Sequence, residues 1–160
     1  MIQTIQVLRE KDITITNEML VKGVQNVSEN TGLKGRWQIL QHDPLVICDS
    51  GHNVDGIREV VRNLQALKQK KIHFVLGMVN DKDIGGILKL LPDDSAYYFC
   101  KANIPRGLDA AILAKQAAAF GLKGMTFSSV RDAYEKALAN CKHDEMVFIG
   151  GSIFVVAEIL

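Results

Sequence analysis

The sequence has 160 residues, 48% hydrophobic and 23% charged, with 19 basic and 18 acidic side chains and a formal charge of +1. A chain of this length buries most of its apolar surface without covalent staples. So even a charge balance supplies no long-range field for nucleic acid or an anionic membrane. The three cysteines, Cys48, Cys100 and Cys141, form no close pair. That fits a reducing compartment and argues against both a disulfide framework and a Cys-x-x-Cys zinc site. No segment has the order of a secretory leader, and no apolar run approaches the ~20 residues that span a bilayer. A cytoplasmic chain with no nucleic-acid or membrane partner is expected.

In chain order, residues 1–33 read as two helices. Ile2, Ile5 and Leu8 recur at helical spacing, starting at Met1 with no cap before them, as in a chain that begins inside an element. Asp12 to Ile15 breaks the pattern, Thr16 or Asn17 can cap the second helix, and Met19, Leu20, Val24 and Val27 share its apolar side. From residue 34 the pattern changes. Trp37–Leu40 suits a short edge strand, and Leu45–Cys48 a strand buried on both faces. Ile57, Val60, Val61, Leu64 and Leu67 line one face of a helix, and Lys68 to Lys71 is its solvated end. A buried run over Ile72–Val79, a short helix from Ile84 to Leu91 stopped near Pro92, and a strand at Ala96–Cys100 follow. Next come an alanine-rich helix over Leu108–Phe120 ended by Gly121, and a strand at Met125–Phe127. Ser128 or Ser129 caps a helix bearing Val130, Ala133 and Ala137; a strand at Met146–Ile149 then leads through Gly150-Gly151-Ser152 into a last helix from about Ile153. Alternating strands and helices imply an α/β chain: a Rossmann-like, mostly parallel sheet with helices on both faces, preceded by a short helical segment.

In such a sheet ligands bind beyond the carboxyl ends of the strands, so the polar residues just after each strand carry the chemistry. The richest loop is Asp49-Ser50-Gly51-His52-Asn53. Asp49 can accept hydrogen bonds from ribose hydroxyls or pair with a basic group, and His52 and Asn53 stand at a helix start, where free N–H groups favour an anion. Equally, Asp49 and Asn53 could serve only to cap that helix, and Ser152 could be a plain N-cap. Arg36, as an isolated arginine, more often faces solvent. His42, His73 and His143 show no ligand spacing, so no metal is assigned. No Gly-x-Gly-x-x-Gly follows a strand, and no Gly-x-x-x-x-Gly-Lys-Ser/Thr phosphate loop is present.

Gly35-Arg36-Trp37-Gln38, Asp49-Ser50-Gly51-His52-Asn53, Leu76-Gly77-Met78 with Asp81-Lys82-Asp83, Pro105-Arg106, and Gly151-Ser152 before an apolar helix occur in that order. The series resembles the C-terminal domain of the folylpolyglutamate synthase/dihydrofolate synthase family, within the Mur ligase superfamily. The resemblance covers residues 34–160, with residues 1–33 similar to the helical end of the family's preceding ATPase domain. It implies an ATP-dependent carboxylate–amine ligase in which ATP phosphorylates a folate or dihydropteroate carboxylate and L-glutamate attacks the acyl phosphate. It further implies that Arg36 and Asp49 contact ATP, Arg36 toward phosphate and Asp49 toward the nucleoside. His52 and Ser152 would lie near the incoming glutamate, with Asn53 and Arg106 in support. The phosphate loop and the Mg2+ ligands would belong to the chain's own N-terminal ATPase domain, and the fragment alone would be inactive, with no catalytic residue assigned within it. The sequence departs from the family at Lys34 and Val54, where proline is frequent, and in the order of Ser50-Gly51; none of these removes a proposed contact. Two rival readings are another amino-acid ligase of the same superfamily and a stand-alone Rossmann-like binding module. A phosphoacceptor receiver domain fits less well, since only Asp49 has a comparable setting.

Overall fold

The computed structural model describes residues 2–80 and 83–160, so Met1, Asp81 and Lys82 lie outside the described residues. The chain divides into two compact units that meet in sequence between Lys34 and Gly35.

The first unit holds α1 (Ile2–Glu10), α2 (Asn17–Gln25) and α3 (Val27–Thr31). Thr16 caps α2 by accepting from the Met19 amide at 3.1 Å. Arg9 braces the turn before it, donating to the Ile15 carbonyl at 2.7 Å and to Asn17 Oδ1 at 3.0 Å. Three helices stand where two are expected. The backbone leaves α2 at Asn26, whose N–H returns to the Lys22 carbonyl, so Val27 begins a separate turn. No residue of these helices is buried, and Met19, Val21, Val24 and Val27 are exposed.

The second unit contains β1 (Gln38–His42), β2 (Leu45–Asp49), α4 (Val54–Ala66), β3 (Ile72–Leu76), α5 (Ile84–Leu88), β4 (Ala96–Cys100), α6 (Ala110–Ala118), β5 (Gly124–Phe127), α7 (Val130–Asn140), β6 (Met146–Gly150) and α8 (Ile153–Ala157). The sheet order is β1-β2-β6-β3-β4-β5, with β1 antiparallel to β2 and the other pairs parallel. The α/β class expected from the alternation is the one observed. Trp37 precedes β1 rather than opening it, and the alanine-rich helix starts two residues late because Asp109 caps it.

Period-2 alternation divides each central strand between two cores. Ile47, Phe74, Leu76, Tyr97, Phe99 and Phe148 face α4, α5 and α6, while Val46, Val75, Tyr98, Val147 and Ile149 face α7 and α8. All five residues of β6 are buried, as a central strand covered on both faces requires. On the first face Phe74 packs against Tyr97 and Phe148 with ring centroids 5.4 Å and 5.0 Å apart. Each fully buried ring or branched chain contributes roughly 1.5–3 kcal/mol. Helix α7 presents Val130, Ala133 and Ala137 to the sheet, and α6 presents Ala110, Leu113 and Ala117; such small side chains let a helix lie close to the strands. Among the described residues no helix is long and apolar enough to cross a membrane.

Candidate ligand-binding edge

Strands β2, β6, β3 and β4 run parallel, so their carboxyl ends and the loops after them share one edge. β6 sits between β2 and β3. The helices that follow β2 and β3 join the first core, whereas α8, following β6, joins the second. Chain paths leaving neighbouring strands toward opposite faces open a crevice at that point. The crevice lies at Asp49, Gly150 and Leu76, which are paired in register.

Asp49 is half-buried, and both its carboxylate oxygens are engaged. Oδ2 accepts from the Trp37 amide and Oδ1 from the Gly51 amide, each at 2.7 Å. Asp49 therefore does not cap α4. It ties residues 35–37 to the loop after β2, aided by the Ser50 amide donating to the Gly35 carbonyl at 2.9 Å. Trp37 holds a φ of 44°, a left-handed conformation that costs energy for a bulky residue, and the Asp49 bond is what retains it. Gly35, at φ 69°, has no room for a side chain: a Cβ would stand 2.8 Å from Val156 Cγ1. Arg36 lies between these two anchored residues, exposed, with no hydrogen bond or ion pair among the described residues.

Asn53 caps α4, its Oδ1 accepting from the Gly56 amide at 2.7 Å. His52 is half-buried with Nδ1 3.0 Å from the Ser50 carbonyl oxygen. A carbonyl only accepts, so Nδ1 bears the hydrogen. The neutral ring then offers Nε2 as an acceptor, and the protonated ring offers it as a donor. Ser152 is 2% exposed and caps α8, its hydroxyl accepting from the Phe154 amide at 3.2 Å. The Arg106 guanidinium lies 4.9 Å from the centre of the Phe154 ring and so braces the first turn of α8.

Backbone contacts pin the loops to one another. The Gly77 amide donates to the Gly150 carbonyl, Asn80 to Arg106, and Leu108 to Met78, at 3.3, 3.1 and 2.9 Å. Gly151, at φ 90°, passes so near Gly77 that a Cβ would meet the Gly77 carbonyl oxygen at 2.7 Å. Asp81 and Lys82 of the resemblance lie outside the described residues. Asp83 caps α5 through the Gly86 amide. A cavity of about 590 Å³ opens beside the ends of β4 and β5, lined among others by Lys101, Asn103, Ser128, Ser129 and Glu158. Arg36, Asp49, His52 and Ser152 do not line it; they gather at the ends of β2 and β6. The bracing by Trp37 and Glu158 was not legible in the sequence. Their partners, Asp49 and the Asn103 amide, are 12 and 55 residues away.

An open parallel sheet with a crevice at its central strand and convergent polar loops defines the Rossmann-like class of ligand-binding domains. Within that class, the chain belongs to the Mur ligase, glutamate ligase domain family, whose match spans residues 35–153. It is 32% identical over 145 residues to a probable bifunctional folylpolyglutamate synthase/dihydropteroate synthase of Haloferax volcanii, covering 90% of this chain and 17% of that protein. It is 31% identical over 157 residues to the dihydrofolate synthase/folylpolyglutamate synthase of Escherichia coli, covering 96% and 35%. Its fold matches a bifunctional folylpolyglutamate synthase/dihydrofolate synthase solved with Mn, AMPPNP and L-glutamate bound, with a TM-score of 0.83 and 31% identity over 97% of this chain and 36% of that one. The chain thus spans between 17% and 36% of the length of these relatives.

Proposed function

We propose that this chain is the C-terminal part of a cytoplasmic, ATP-dependent ligase that joins L-glutamate to folate or dihydropteroate through an acyl phosphate. The observation that carries this reading is the anchored Gly35–Trp37 segment at the mouth of the crevice. It presents Arg36 to solvent from a segment tied to the loop that carries His52 and packed at Gly35 against Val156 of α8, in a family whose solved relative binds a nucleotide and glutamate. Residues 1–33 are the helical end of the preceding ATPase domain, and residues 34–160 the ligase-type C-terminal domain.

In this reading Arg36 supplies positive charge toward the ATP phosphates as the acyl phosphate forms, charge being worth most where water is excluded. Asp49 holds the segment that bears Arg36 and retains lone pairs for the nucleoside. His52 meets the glutamate carboxylate through the Nε2 side of its ring, since Nδ1 is committed to the Ser50 carbonyl. Ser152 and Arg106 fix the start of α8, with Asn53 fixing α4. Among the described residues of this edge, the Asp49 carboxylate accepts from two backbone amides and the Asp83 carboxylate caps α5. The Mg2+ ligands are assigned to the N-terminal region, as the family resemblance implies.

The full-length protein, given ATP, glutamate and a dihydropteroate or tetrahydrofolate acceptor, is expected to yield products heavier by whole glutamate residues on mass spectrometry. Mass gain only on a peptidoglycan-type acceptor would overturn the folate assignment in favour of the sister ligases.

A further inference from the structure

The amino ends of β3 and β6, at the far edge of the sheet, bury a polar chain that the crevice does not use. His73 is 3% exposed and Glu145 7%. His73 Nε2 lies 2.8 Å from Glu145 Oε2, and its Nδ1 lies 2.9 Å from the Tyr98 hydroxyl. Asn140 donates to that hydroxyl at 3.0 Å, and the Lys142 amide to Glu145 Oε2 at 3.1 Å. Cys141, half-buried at the end of α7, closes the group: its sulfur, a His73 ring nitrogen and a Glu145 oxygen all lie within 4.8 Å of one another. The sulfur makes a long contact to the Lys142 carbonyl, at 3.6 Å.

We propose that His73, Cys141 and Glu145 form a binding site for a single thiophilic divalent cation of the Zn2+ type. One imidazole, one thiolate and one carboxylate are each ordinary zinc ligands, and three protein donors with an open fourth position is a recurrent set. Bonds of about 2.0–2.3 Å require the widest separation to close by roughly an ångström. That is within reach because Cys141 stands at a helix end and Glu145 in the turn before β6. The ion binds Nε2, Sγ and a carboxylate oxygen and displaces the His73–Glu145 hydrogen bond. The thiol proton leaves to solvent through the exposed side of Cys141, where a water completes the coordination. The imidazole proton moves to Nδ1, and the Tyr98 hydroxyl, able to donate or accept, becomes its acceptor. Tyr98, held by Asn140, thereby fixes the ring, as partners behind metal-bound histidines do. Thiolate and carboxylate together neutralise a charge of two.

The test uses the full chain stripped with a chelator and titrated with Zn2+, then with Co2+ as a spectroscopic probe. The expected result is one Zn2+ per chain and, with Co2+, a near-ultraviolet thiolate-to-metal band with tetrahedral d–d absorption. Cys141→Ser, at a half-exposed position outside the strands, is expected to abolish that band and weaken Zn2+ binding about tenfold or more. Glu145→Gln, which keeps an acceptor for His73, is expected to weaken Zn2+ binding similarly while leaving the fold intact. Failure of the wild-type chain to retain Zn2+, or a Zn2+ affinity in either variant equal to that of the wild type, would overturn the site.

Discussion

Arg36 and His52 stand near the same crevice, and the roles proposed for them fall at different stages, which kinetics can separate. In the full-length enzyme Arg36→Ala should lower kcat more than it raises the glutamate KM, because the charge matters as phosphate transfers. His52→Ala should raise the glutamate KM about ten- to hundredfold, the worth of one charge-assisted hydrogen bond at ~1.5–3 kcal/mol. If both variants shift only the ATP KM, the division into a nucleotide side and a glutamate side is wrong. Ser152 poses a sharper question, since its hydroxyl is buried and already accepts from Phe154. Ser152→Ala should cost about 1 kcal/mol of stability through the lost cap. An unchanged glutamate KM in that variant, measured alongside a denaturation curve, would confine Ser152 to capping.

The elements were legible wherever periodicity and caps agree. Ile57, Val60 and Leu64 mark the buried face of α4 in sequence as they do in space, and Ser129 caps α7 within the pair expected. What remained hidden depends on non-local pairing. Asp49 reads equally as a cap or a ligand-binding carboxylate, and only the return of residues 35–37 across the end of β2 shows its oxygens taken by Trp37 and Gly51. The His73–Cys141–Glu145 group joins positions 72 residues apart, which no spacing rule reports. Asp49→Ala should destabilise the second unit by about 1–3 kcal/mol, the cost of leaving buried donors unpaired. Urea denaturation reads this directly, and an unchanged midpoint would show that the Trp37 segment holds without the carboxylate. The Gly77 position is tighter still: a Cβ would meet Val155 Cγ2 at 2.7 Å and the Cys100 carbonyl oxygen at 2.8 Å. Gly77→Ala should cost about 1–3 kcal/mol through overpacking.

Across the whole molecule, the two units differ in how their apolar residues are used. The second unit buries two cores, whereas helices α1, α2 and α3 bury nothing and leave Met19, Val21 and Val24 exposed. Apolar surface of that kind tends to find another surface. Amides of residues 2–34 should therefore exchange fast in the isolated chain, or become protected only as it self-associates; full protection in a monomer would contradict this. If this chain completes a glutamate ligase as proposed, the phosphate-binding machinery lies elsewhere, since no phosphate loop occurs in its 160 residues. ADP release, followed in the full-length protein and in the isolated chain while ATP, glutamate and the folate acceptor are omitted in turn, tests it most directly. ADP is expected from the full-length protein only when all three are present, and none is expected from the isolated chain. Glutamate-dependent ADP release by the isolated chain, or release by the full-length protein that ignores glutamate, would contradict it.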